Sequence, residues 1–332
     1  MIYQKDKKTS ISVALAIYNG ERYLPELLEN LLLQTRLPDE LVVSDDASTD
    51  STVAILRDFA QKAPFAVRIH THSKNRGVTK NFENAVSKCT GNFIFLSDHD
   101  DVWLPDKIYR TAELLIKNPR AGVAFCNAQM GDETLAPLGY TLWEALGFSR
   151  QKQEKVRTGN ALEIFLQYSM IAGMTMAFRS TLLDMLLPFP DMVSCHDTWI
   201  LLLAAAVSDI SFTPDTLAIH RVHGKNNSNM TKKNLYQQYL KARAQIKNDR
   251  LTYSLKFNQA LQERLNRVKN NWNVKPSALD LLQKKIAHAQ LRVDMPGPRM
   301  KRVFPIANEM KNRNYARFSY GIKSALQDLL LR

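Results

Sequence analysis

Three carboxylates, Asp98, Asp100 and Asp101, fall within four residues, straight after the apolar run Phe93-Ile94-Phe95-Leu96. Acids so crowded repel one another unless a cation or a phosphate-bound metal sits among them. An oxygen-rich set of this kind suits Mg²⁺ or Mn²⁺, which keep several waters and complete their shell with substrate phosphates. Plain turn chemistry is the alternative, because acids are favoured at helix starts and Pro105-Asp106-Lys107 opens a helix here. A second acid cluster, Asp45-Asp46 with Asp50, follows the short run Leu41-Val42-Val43. Asp197 stands at the head of the apolar stretch Thr198 to Val207, where it reads as an N-cap held at the positive end of a helix. His223 lies in a polar run just past a strand, Thr216 to Ile219, and a neutral imidazole there is a competent third ligand for Mn²⁺.

The elements that must hold these groups alternate. Ile11 to Ile17 is a β-branched apolar strand, and Glu21 to Gln34 carries leucines at helical spacing. Leu41–Val43 is a short buried strand, followed by a helix from Ser51 to Gln61 capped by Asp50 or Ser51. Val67 to His70, a helix from Thr79 to Lys88, the central strand Phe93–Leu96 and a strand from Ala121 to Asn127 continue the pattern. Such βαβα alternation with short buried strands predicts an α/β fold, its sheet largely parallel and covered by helices. Ligands in such sheets bind at the carboxyl ends of the strands. Both acid clusters fall at that edge, which suggests one nucleotide site serving base, ribose and metal–diphosphate. No Gly-x-Gly-x-x-Gly and no Gly-x-x-x-x-Gly-Lys-Ser/Thr is present, which counts against a dinucleotide-binding Rossmann unit and a P-loop. Asp132 to Thr158 shows no clear period and reads as a loop or short helices.

Charge divides the chain. Residues 230–332 hold 22 Lys+Arg against 6 Asp+Glu, while residues 1–229 hold 23 against 26. The excess of +13 therefore comes wholly from the last third, and a boundary near Met230 results: 1–229 as a catalytic domain, 230–332 as a basic, mostly helical region. That region reads as polar helices from Leu235 to Asn270, a helix from Pro276 to about Leu291, a break at Pro296-Gly297-Pro298, and a last amphipathic helix from Asn314 to Leu331. A basic amphipathic surface suits anionic lipid. No helix-turn-helix, zinc finger or RNP pattern points to nucleic acid, and none is expected as a partner. Cys89, Cys126 and Cys195 form no Cys-x-x-Cys pair, so neither a disulfide framework nor a zinc knuckle is expected and a reducing cytosol fits. The polar, lysine-rich first ten residues lack a signal-peptide apolar region, and Trp199 to Val207 is far too short to span a bilayer. The expected location is cytoplasmic, peripheral at the inner face of the cell membrane.

Seven stretches in order carry a resemblance. They are Val13 to Gly20, Leu41 to Asp50, Asn75-Arg76-Gly77, Asp98-His99-Asp100-Asp101, Gly173 to Arg179, His196-Asp197-Thr198-Trp199 and His220 to Ser228. Over residues 10–229 the chain resembles family 2 glycosyltransferases, and its last three stretches are most similar to bacterial rhamnosyltransferase-type members that build surface polysaccharide. The resemblance implies a GT-A fold, a nucleotide-diphospho-sugar donor and inversion at the anomeric carbon. It implies that Ala16, Tyr18 and Asp46 hold the base, a pyrimidine edge favouring UDP or dTDP over GDP. Arg76 and Lys80 would lie near the diphosphate. Asp100 would be the leading metal ligand, with Asp98 on the ribose or the metal and His223 as a third ligand for Mn²⁺ or Mg²⁺. Asp197 would be the general base, and Trp199 would pack near the acceptor or donor sugar. His99 departs from the small or acidic residue common at its place and is given no role.

The expectation is thus a metal-dependent inverting hexosyltransferase acting on a saccharide or lipid-linked saccharide. Two other readings stand beside it. A sugar-1-phosphate nucleotidyltransferase would need a Gly-rich basic loop after the first strand, which Tyr18-Asn19-Gly20-Glu21 is not. A non-enzymatic basic nucleic-acid or lipid-binding protein would leave the acid motifs structural.

Overall fold

The computed structural model describes residues 9–224, 226, 231 and 250–331. The readings at Lys225, Asn227, Ser228 and Met230, and the start of the tail helix at Leu235, lie outside the described residues. Two compact units form. One is Met1–Ala145 with Ile171–Thr198 and Ile210–Asn229; the other is Leu146–Met170 with Trp199–Asp209 and Met230–Arg332. The second unit therefore draws in two segments that precede residue 230.

The first unit opens with β1 (Ile11–Ile17), α1 (Leu24–Leu32), β2 (Glu40–Asp45), α2 (Thr52–Lys62), β3 (Ala66–Thr71), α3 (Val78–Ser87) and β4 (Phe93–Ser97). Then come β5 (Val102–Trp103), α4 (Lys107–Lys117), β6 (Ala121–Gly131), β7 (Pro137–Thr141) and α5 (Leu142–Leu146). Every residue of β1, β2 and β4 is buried, as expected of strands covered on both faces. Leu24, Leu27, Leu28 and Leu31 of α1 join that core with Leu56 and Phe95. Ser51 is the N-cap residue of α2 and makes no capping bond with its side chain, while Asp50 Oδ1 accepts the Thr52 backbone N–H at 3.0 Å.

The sheet runs β3-β2-β1-β4-β8-β6-β9-β5, with β7 beside β6. Here β8 is Met176–Arg179 and β9 is Asp209–Arg221. Its first half is parallel, as the βα alternation predicted. The other half is antiparallel: β8 enters between β4 and β6, and β9 pairs with β5. Two registers bring the acidic segments together. Ile17 pairs with Asp45 and Leu15 with Ser97, so β1, β2 and β4 end together and release Tyr18, Asp46 and Asp98 at one edge. Val102 pairs with Ile219, which lays residues 220–223 alongside the acids that precede β5.

One buried cation lies under this edge. Lys107 is fully buried, donates to the Met174 carbonyl at 2.5 Å and lies 3.3 Å from the Trp103 ring centre. Burial pulls its ammonium down from 10.5 to about 7. The unfolded chain keeps that proton to about pH 10, whereas the folded chain loses it near 7, so the group makes the fold more stable as pH rises through that window. Lys107→Met is therefore expected to flatten the rise in urea-unfolding free energy between pH 7 and pH 10. An unchanged slope would show that the lysine is solvated.

In the second unit, α6 (Arg150–Lys155) and α7 (Ala161–Phe165) flank a π-turn. After α8 (Leu183–Leu186) of the first unit comes α9 (His196–Val207), then α10 (Arg250–Val268), α11 (Pro276–Val293), α12 (Arg299–Lys311), α13 (Asn314–Phe318) and α14 (Ile322–Leu330). The expected single helix from Asn314 is two, broken at Ser319, which is extended, and Gly321, whose φ of +62° suits glycine alone. α12 was not expected. Pro298 caps it and Pro305 lies inside it, two residues that ordinarily argue against a helix.

Candidate active site

The three parallel strand ends are stapled together by backbone N–H groups. Asn19, at φ +47°, accepts the Thr49 N–H at 2.8 Å and donates its own N–H to Ser48 Oγ. Gly20 N–H bonds Thr52 Oγ1, and Glu21 N–H bonds Asp50. Only glycine fits at position 20, since a Cβ would stand 2.6 Å from Ile17 Cδ1 and 2.8 Å from the His99 ring. Beside this turn Ala16 is buried, Tyr18 presents about half its surface to solvent, and Asp46 is buried. The Asp46 carboxylate accepts the N–H groups of Arg76 at 2.8 Å and Gly77 at 2.9 Å. One acid thus brings the 75–77 loop to the ends of β1 and β2. Asp45 serves its own turn, accepting the Ser48 N–H at 3.2 Å.

At the end of β4 the acids meet the end of β9. Asp100 Oδ2 stands 2.9 Å from His223 Nε2 and 3.3 Å from Asn226 Nδ2. Asp101, buried, faces His220 Nδ1 at 2.9 Å and accepts the Arg221 N–H at 3.0 Å, while its Oδ2 is buried without a partner. Burial opposes charge on His220, but Asp101, with Asp100 and Asp98 behind it, lifts the imidazole to about 9. Asp98 also moves up: burial, then Asp101 and Asp100, hold its carboxyl well above the usual range and so favour its neutral form. Arg221 locks the corner, donating to the backbone carbonyls of Asp100 and Glu133 and pairing with Glu26. Its guanidinium lies 4.7 Å from the Tyr23 ring, which also packs 5.0 Å from the His223 ring. Asp101, His220 and Arg221 belong to the motif stretches, but sequence reasoning gave them no task. Their signal was there, in an acid next to Asp100 and two basic residues within three positions of His223.

Asp197 reaches the same edge from the start of α9. Its Oδ2 accepts the Gly173 N–H at 3.1 Å and its Oδ1 the Thr198 N–H at 2.6 Å, and its charge is felt by Asp98. Gly173 fits closely, since a Cβ there would come within 3.1 Å of His196 Nε2 and 3.4 Å of Asp197 Cβ. His196 is buried, stacked 3.8 Å from the Phe82 ring, and burial pushes its imidazole towards the neutral form.

One expected site residue lies elsewhere, and another is engaged by protein oxygens. Trp199 is fully buried in the second unit, edge-on to Phe257 with the Arg264 guanidinium 5.4 Å from its ring. Two residues past Asp197 is about 200° round a helix, so a tryptophan there faces away from the acid and packs a core instead of a sugar. Lys80 is committed to protein oxygens: Glu83 at 3.1 Å, Asp191 at 3.0 Å and the Phe189 carbonyl at 2.7 Å. Three acceptors lie within reach of its Nζ, so it fastens α3 to the 189–191 segment. Arg76 lines an open groove of about 620 Å³ with Lys80, Asn84 and Asp184.

Among the described residues no three His, Cys, Asp or Glu side chains stand together as a metal cluster, so Asp98, Asp100 and His223 do not form the expected three-ligand set. What is assembled is the pair of Asp100 and His223, beside a crowd of acids whose like charge raises Asp98. That donor set fits Mg²⁺ or Mn²⁺, which commonly takes one or two protein ligands and fills the rest from phosphate and water.

Several known proteins are similar to this chain. An uncharacterized glycosyltransferase of Nostoc sp. is 26% identical over 240 residues, covering 71% of this chain and 72% of that protein. A dTDP-rhamnosyl transferase of Shigella flexneri is 32% identical over 108 residues, 31% of this chain and 37% of its own. An uncharacterized Mycobacterium bovis protein is 33% identical over 117 residues, but the match spans only 34% of its length. Among solved structures, S. aureus TarS 1–349 superposes with a TM-score of 0.55 at 17% identity, over 93% of this chain and 81% of that one. A mannosyltransferase of Pyrobaculum calidifontis, solved with GDP-Man and Mn²⁺, gives 0.52 at 18% identity, covering 93% and 76%. These likenesses show the GT-A fold. The profile described as Glycosyl transferase family 2 matches residues 12–184, just over half of the chain, and the protein belongs to that family.

Proposed function

We propose that the protein transfers a sugar, with inversion, from a UDP- or dTDP-sugar to a hydroxyl of a saccharide or lipid-linked saccharide in bacterial surface polysaccharide synthesis. The observation that carries this reading is the register of β1, β2 and β4, which releases Asp46 and Asp98 at one sheet edge, where Asp100 is held against His223. Ala16, Tyr18 and Asp46 form the base end, with Asp46 fixing the loop that closes on it. Asp100 and His223 are the side chains that would hold a divalent cation, with Asp98 beside them. Such an ion supplies charge stabilisation to the departing diphosphate. Asp197 takes the proton from the acceptor hydroxyl, and its two backbone bonds fix where that proton goes. Attack from the side opposite the leaving diphosphate inverts the anomeric carbon. The relative named a dTDP-rhamnosyl transferase favours a deoxythymidine donor, and the neighbour solved with Mn²⁺ favours a divalent metal.

The metal reading has a direct test. A ligand at about a hundred times its Kd stabilises a fold by roughly 2.7 kcal/mol. UDP or dTDP is therefore expected to raise the melting temperature markedly more with Mn²⁺ or Mg²⁺ than with EDTA. Asp100→Ala should remove the metal-dependent part and leave the rest. Equal shifts with metal and with EDTA would sink the assignment, and a panel of nucleotide-sugars scored for hydrolysis then names the donor.

A further inference from the structure

We propose that the outer faces of α12 and α14 form a docking surface for an anionic lipid bilayer. Met300 is 85% exposed, Phe304 82%, Ile322 65%, Val303 50%, and Leu326 and Leu330 49% each. On α12, residues 300, 303 and 304 form one stripe; on α14, residues 322, 326 and 330 form another, each at helical spacing. Both stripes face the same way. Glu309 of α12 is buried against His288 at 2.5 Å, and Asp328 of α14 is buried against Arg292 at 2.6 Å. His288 and Arg292 lie one turn apart on α11, so α12 and α14 rest on one face of that helix. The apolar stripes occupy the sides of α12 and α14 opposite these buried contacts. Arg299 and Arg302 reach the carbonyls of Leu330, Asp328 and Leu329, which sets the two stripes side by side.

The charge around the stripes selects the occupant. Between Met295 and Leu331 the only acids are Glu309 and Asp328, and both are buried and turned towards α11. Arg299, Lys301, Lys311, Arg313 and Lys323 are exposed. A second copy of the chain would bring the same positive rim against itself, an arrangement that like charge disfavours. A bilayer with anionic headgroups meets both demands, taking apolar side chains at the headgroup–acyl boundary and cations at the phosphates. None of the described helices is long and apolar enough to cross a membrane, so the contact is interfacial. It does not depend on the sugar chemistry, and it is read without donor or acceptor.

The test is flotation of the full chain with vesicles of phosphatidylcholine alone, or mixed in equal parts with phosphatidylglycerol. The wild type should float with the mixed vesicles and not with the neutral ones, and binding should weaken as salt is raised. Phe304→Ser with Ile322→Ser should bind roughly tenfold or more weakly, because the transfer free energy of two large apolar side chains is forfeited. Its melting temperature should hold, as both residues are exposed. Lys301→Glu with Lys311→Glu should weaken binding independently. Three results would overturn the proposal: undiminished flotation of the Phe304/Ile322 variant, equal binding of wild type to neutral vesicles, or a dimer in light scattering that this variant converts to monomer.

Discussion

Asp197→Asn is expected to leave nucleotide affinity within a few-fold of wild type while lowering transfer by roughly 10²–10⁴, the usual cost of losing a positioned general base. The carboxylate uses both oxygens, one for the Gly173 N–H and one for the Thr198 N–H. Asparagine keeps one acceptor and so forfeits one of these bonds, a loss of about 1 kcal/mol in stability. It cannot take a proton at all. Asp46, Asp98 and Asp100 lie at other strand ends, so donor binding does not pass through this residue. A capping role predicts the opposite outcome, because asparagine caps nearly as well as aspartate. Near-normal turnover with an unchanged melting temperature would remove Asp197 as the base. His196 is poorly placed to replace it in this conformation, since its ring is buried against Phe82 and burial disfavours the imidazolium it would become on taking a proton.

Strand ends marked by acids were readable because their signal is local. An apolar run that stops at Asp45-Asp46 or at Asp98-His99-Asp100 shows both the strand and its active edge, and the registers of β1, β2 and β4 put those edges together. Pairing between distant segments leaves no such mark. β8 enters between β4 and β6 from about 80 residues downstream, and nothing in Met176–Arg179 announces its antiparallel sense. Lys80 looked available for phosphate because two of its acceptors, Phe189 and Asp191, lie more than a hundred residues away. The partnership of Asp101 with His220 spans 119 residues, yet it was nearer to hand. The antiparallel register that pairs Val102 with Ile219 carries on to set Asp101 opposite His220. Trp199 misled because proximity in sequence on a helix is not proximity in space: the rotation between Asp197 and Trp199 puts one at the site and the other in a core.

The second unit holds the largest stability effect. Asp328 is fully buried and binds Arg292 at both ends, Oδ2 to Nε at 2.6 Å and Oδ1 to Nη2 at 3.0 Å. The Tyr315 hydroxyl donates to the same carboxylate at 2.8 Å, and burial with that negative charge pushes the phenol far above its usual range. Arg292 spends a further N–H on Ser319 Oγ at 3.0 Å. Asp328→Ala would leave a buried guanidinium without its counter-charge, which costs about 3–5 kcal/mol in comparable pairs. Hydrogen exchange at the amides of α11, α13 and α14 should register that loss, since these are the helices the network joins. Removing both charges, in Asp328→Leu with Arg292→Met, should recover much of it, because the penalty lies in the unpaired charge more than in the missing bond. Recovery should stay incomplete while the Tyr315 hydroxyl lacks the carboxylate it donates to. The exposed pair of Asp280 and Lys284, at 2.6 Å one turn apart on α11, is the control. Asp280→Ala should cost no more than about 0.5 kcal/mol, as solvent screens such a pair. If Asp328→Ala cost as little as Asp280→Ala, the Asp328–Arg292 network would be an accessory of the helical unit and not its keystone.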